Sequence, residues 1–86
     1  MRVFELINLL QEMPQNSLVI LQKDAEGNGF SPLYGADPNA VYEAATTWYG
    51  EVRSTEWTAS DAGMEEEEWE EYKRRTPACV VLYPVN

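Results

Sequence analysis

The chain has no histidine and a single cysteine, Cys79, in 86 residues. Without an imidazole, general base chemistry at neutral pH would need a strongly shifted Glu, Lys or Tyr. One cysteine makes neither an internal disulfide nor a thiolate zinc site. Cys79 lies inside an apolar run, which reads as an inert core thiol in a reducing compartment. Basic residues are also scarce: six Lys/Arg face fifteen Asp/Glu, for a net charge of −9. Such a surface excludes a direct nucleic-acid binder. No apolar run approaches the ~20 residues that cross a membrane. The opening Met1–Leu10 is interrupted by Glu5 and Asn8, and no small-residue cleavage site follows, so it does not read as a targeting signal. The expected location is the cytoplasm of a bacterial cell or an infected host, with no membrane contact. No glycine-rich phosphate loop is present, and the expectation is a non-enzyme without cofactor or metal.

What is there suits one folded domain spanning residues 1–86. Hydrophobic residues are 44% and charged residues 24%, proportions of a globular chain rather than a disordered one. Val3, Leu6, Ile7, Leu10 and Met13 recur at helical spacing and predict an amphipathic helix over 3–13, stopped by Pro14. Leu18–Leu21 predicts a strand. Asp24-Ala25-Glu26-Gly27-Asn28-Gly29 predicts a hairpin turn into a second strand at Phe30–Tyr34. Gly35–Asn39 reads as a loop. Ala40–Thr47 has helical spacing, yet the Val-Tyr-Thr-Thr-Trp-Tyr residues there favour strand, and a third extended segment is expected within Val41–Val52. Met64–Arg75 predicts a second helix, with glutamates toward its N-terminus and Lys73, Arg74 and Arg75 at its end, as the helix macrodipole favours. Ala78–Tyr83 is continuously apolar and predicts a strand buried on both faces, at the centre of the sheet. The fold class is α+β: a small mixed or antiparallel sheet, an N-terminal helix, and an acidic helix before the last strand. The stripe of Leu6, Ile7, Leu10 and Met13 is expected to pack on Val19, Leu21, Val80 and Leu82.

Two stretches carry a family resemblance. Glu5-Leu6-Ile7-x-x-Leu10-x-x-Met13-Pro14-Gln15-Asn16-Ser17-x-Val19 resembles the opening of small bacteriophage and bacterial proteins of unknown function, and Val80-Val81-Leu82-Tyr83-Pro84 resembles their closing strand. The resemblance covers about a third of the chain and omits its middle. It implies a phage-related origin and a small α+β fold. The group shares no catalytic motif, so no functional residue transfers.

Three further patterns bear on function. Glu65, Glu66, Glu67, Glu68, Glu70 and Glu71 put six carboxylates on one predicted helix. They are either a solvated face, with Glu70–Arg74 and Glu71–Arg75 pairs at i, i+4, or a charged surface that enters a basic groove in place of nucleic acid. Trp48, Trp57 and Trp69 are the aromatic anchors such a contact would use, although Trp69 and Tyr72, three apart, also suit a core. Asp24–Gly29 matches the first half of a calcium loop, but the twelfth position is Gly35, and a hairpin turn is the better account. These residues suggest a phage-encoded protein that binds and inhibits a host or defence protein with a basic groove, through Glu65–Glu68, Glu70, Glu71, Trp48, Trp57 and Trp69. A homo-oligomeric assembly module is the alternative.

Overall fold

A computed structural model describes residues 1–24 and 26–85 of the chain. The elements run α1 (Val3–Gln11), β1 (Ile20–Gln22), β2 (Phe30–Ala44), β3 (Gly50–Ser54), α2 (Glu66–Arg75) and β4 (Ala78–Pro84). Two helices and a four-stranded antiparallel sheet make the class α+β. The centre of the sheet is β2. It pairs with β1 from Ile20↔Pro32 to Gln22↔Phe30, with β3 from Ala40↔Ser54 to Ala44↔Gly50, and with β4.

Two expectations fail along the sheet. Gly35–Asn39 is strand rather than loop, so β2 runs unbroken for fifteen residues. Pro38 lies within this strand, and the Asp37 carboxylate beside it accepts the Asn39 N–H at 2.8 Å. The C-terminal strand is not central either. β4 pairs with β2 alone among the described residues, and its residues alternate between exposed and half-covered instead of being buried on both faces. Continuous hydrophobicity signals burial on both faces only when other elements cover each face of the sheet.

The chain divides into two compact units, Met1–Gly35 with Leu82–Asn86, and Ala36–Val81. In the first, Gln15 Nε2 donates to the carbonyls of Leu10 (3.0 Å) and Met13 (2.7 Å), satisfying orphan acceptors at the end of α1. The hairpin turn forms as expected. Asp24 Oδ1 accepts the N–H groups of Glu26 (2.9 Å) and Asn28 (3.1 Å), and Gly27 takes φ +77°, a value L side chains avoid. Ser31 is buried and its hydroxyl donates to the Val85 carbonyl at 2.7 Å. No residue of α1 is buried, and Ile7, Leu10 and Met13 of the stripe remain 49%, 40% and 46% exposed, so the stripe is not enclosed as a core face.

The hydrophobic core lies in the second unit. Val41, Ala59, Trp69 and Tyr72 form it, with Ala62 and Met64 packed against them. The third extended segment resolves into the end of β2, a turn over 45–49, and β3. The N–H groups of Ala45 and Thr46 both donate to the Tyr49 carbonyl at 3.0 Å, closing the hairpin.

Candidate partner-binding surface

Helix α2 forms where acidic residues fill the first turn and basic residues the last. Glu65 is its N-cap, and its N–H donates to Glu68 Oε1 at 3.3 Å, one half of a capping box. Glu65 and Glu68 therefore serve the helix start. The remaining four carboxylates, Glu66, Glu67, Glu70 and Glu71, line one shallow, open outer face together with Arg74. All four are exposed. The expected i, i+4 ion pairs are not made. Glu70 pairs with Lys73 at 3.1 Å and Glu71 with Arg74, both three residues apart. Arg75 turns instead to the Tyr72 ring, 5.3 Å from its centroid. The Arg74 guanidinium holds the Glu71 carboxyl below its ordinary range. Among the described residues Glu66 and Glu67 make no ion pair, so the negative potential is least neutralised at the start of the helix.

Trp69 is a correction. It is 1% exposed, its indole N–H donates to the Trp57 carbonyl at 3.1 Å, and its ring stacks on Tyr72 at 5.7 Å between centroids. A side chain so covered offers no surface to a partner. Its spacing from Tyr72 is the signal of a core-facing pair, and that half of the sequence reading holds. Trp57 is 41% exposed, while Trp48, in the β2–β3 turn, is 81% exposed. Of the three tryptophans, Trp48 is the most displayed.

The polar cluster that fixes α2 to the hairpin is not legible from linear spacing. The Tyr72 hydroxyl donates to Glu43 Oε1 (2.9 Å) and accepts from Arg53 Nη1 (2.5 Å); Arg53 also bridges Glu43 and Glu51, each at 3.1 Å. The Arg53 guanidinium lies 4.9 Å from the Tyr72 ring centroid. The hydrogen bond from Tyr72, with the Arg53 charge beside it, holds the Glu43 carboxyl below its usual value, whereas burial and Glu43 push the Tyr72 phenol up. Glu43 and Arg53 are cross-strand diagonal neighbours only in the register Glu43↔Glu51, Val41↔Arg53, which linear spacing does not reveal.

Cys79 is half-covered, and burial with the nearby Asp37 charge pushes its thiol up, which keeps it protonated at neutral pH. No group of His, Cys, Asp or Glu among the described residues is arranged to hold a metal ion, and no helix there is long and apolar enough to cross a membrane. Comparison with protein-family models, curated proteins and solved structures finds no match.

Proposed function

We propose that this protein works by binding another protein, without catalysis, through the outer face of α2. The observation that carries the reading is the sorting of the glutamate run: two residues cap the helix, and four share one exposed face around Arg74. Successive turns place Glu66 and Glu70, and Glu67 and Glu71, about 6 Å apart along the axis. Two phosphate steps along a nucleic-acid strand advance roughly 7 Å, so a basic groove built for a phosphate backbone accommodates such a double row. The exposed Trp48 supplies an aromatic contact on the same unit. The partner of this chemistry is a nucleic-acid-processing or defence protein with a basic groove. The resemblance of the chain ends to phage proteins supports an infected bacterium as the setting and inhibition as the result.

The test is affinity capture from bacterial lysate, washed at low and high salt and read by mass spectrometry. The expected result is one basic nucleic-acid-processing protein, released by salt or by added DNA. Reversing Glu66→Lys and Glu67→Lys together should slow its association at least tenfold at low salt, with Glu66→Gln and Glu67→Gln intermediate. Recovery of no such protein, or association unchanged by charge reversal, overturns the reading.

A further inference from the structure

Independently of that reading, β3 leaves one edge of the sheet open. The Thr55 N–H donates to the Asn39 carbonyl (2.9 Å) and the Ala45 N–H to the Tyr49 carbonyl (3.0 Å), in the register Val41↔Arg53. In an antiparallel ladder of that register, residues 49, 51, 53 and 55 bond to β2. The N–H and C=O groups of Gly50, Val52 and Ser54 turn the other way. No other strand among the described residues pairs with β3. Val52, at the middle of that edge, is 46% exposed. Natural sheets guard an open edge with proline, lysine, a bulge or a very short strand. β3 has five residues in continuous register and neither proline nor lysine, whereas β1 has three residues and β4 ends in Pro84. The charged residues of β3 are Glu51 and Arg53, neighbours on the face that carries Tyr72.

We propose that this edge pairs with β3 of a second copy, antiparallel across a two-fold axis at Val52. Val52 then faces Val52, Gly50 faces Ser54, and Glu51 faces Arg53 on both sides of the axis. The outward groups exchange about six inter-chain hydrogen bonds, and Glu51 and Arg53 fall in the close pairs whose Cα atoms are about 4.5 Å apart. Charge order selects this register. A slip of one residue sets an outward group against one already bonded to β2. A slip of two sets Glu51 against Glu51 or Arg53 against Arg53, and like charges directly opposite destabilise a sheet. Glu51 is 70% exposed, and its bond to Arg53 of its own chain (3.1 Å) uses one carboxylate oxygen, so the other accepts from the guanidinium across the axis. An edge complementary to itself in this way fits a second copy of the chain. The five-residue edge buries little area and both copies carry −9, so the dimer is reversible and forms once salt screens the charges beyond about 8 Å.

Sedimentation velocity from about 1 to about 500 µM, in about 0.15 M salt, tests it. The mass should rise from 9.8 kDa toward twice that value, and the Val52 amide should become protected against hydrogen exchange as it does. Val52→Pro removes an N–H that β2 does not use. It should hold the protein monomeric, with the near-UV signal of the stacked Trp69 and Tyr72 unchanged as the control for folding. Glu51→Lys and Glu67→Lys reduce the net negative charge equally, but only the first sets like charges across the axis. Glu51→Lys alone should therefore weaken the dimer, by about tenfold, and it decides the matter if Val52→Pro loses the near-UV signal. A dimer that survives Val52→Pro with that signal intact, or that responds equally to the two lysines, overturns the β3 pairing. A monomer throughout the range overturns the proposal.

Discussion

At the scale of single residues, Tyr72 links the two kinds of force in the second unit. Its ring fills the core against Trp69, and its hydroxyl sits between an arginine and a carboxylate. Tyr72→Phe keeps the ring and removes both bonds, so it should cost about 1–2 kcal/mol in chemical denaturation. Trp69→Ala leaves a cavity and an unpaired Trp57 carbonyl. Its expected cost of about 3–5 kcal/mol is most of the stability of a domain this size, and the far-UV signal of α2 should be lost at room temperature. Glu43 gives a pH dependence of known sign. Its folded-state carboxyl titrates below its ordinary value of 4.5, so its contribution is fully present above that value and disappears as pH falls through the lower one. Thermal midpoints of wild type and Glu43→Gln should therefore differ at pH 7, and the gap should narrow below pH 4.5 and close in stronger acid. A constant gap would show that the charge of Glu43 is not what Arg53 and Tyr72 hold.

At the scale of elements, the β2–β3 hairpin depends on a glycine that sequence reading passed over. A Cβ on Gly50 would lie 2.4 Å from the Glu43 carbonyl oxygen and 2.7 Å from the Tyr42 ring. Backbone cannot yield there, so Gly50→Ala should force the strands apart and lower the thermal midpoint by several degrees. Gly63, before α2, is different. Its φ of +71° favours glycine, but nothing lies within 4 Å of a Cβ. Gly63→Asn, which tolerates that conformation, should be milder than Gly63→Val, a difference readable in the same melting experiment. Both helices were legible from periodicity, the order of charges and proline, and the Asp24–Gly29 turn from its residue types. Gly35–Asn39 was not, because glycine, aspartate and proline signal a break locally while β1, β3 and β4 all pair along β2.

At the scale of the whole chain, charge is unevenly divided. The first unit holds two basic and four acidic residues, net −2, and the second four basic and eleven acidic, net −7. With that excess, the self-repulsion of the second unit is expected to exceed what its ion pairs recover at low ionic strength. Its unfolding midpoint, followed by tryptophan fluorescence, should rise between about 10 mM and about 0.5 M salt as screening takes hold. A falling midpoint would mean the pairs of Arg53, Lys73 and Arg74 outweigh the excess.

The sequence by itself determined the net charge, the absence of histidine, the two helices, the hairpin turn and the α+β class. Each of these is set by residue type or by periodicity within a dozen residues. Only the tertiary structure decided which glutamates share a face, that Trp69 is core while Trp48 is displayed, that β2 rather than β4 is central, and that Tyr72 joins Glu43 and Arg53. Those outcomes depend on strand register and on which side of α2 meets the hairpin, and both are set by contacts between residues far apart along the chain.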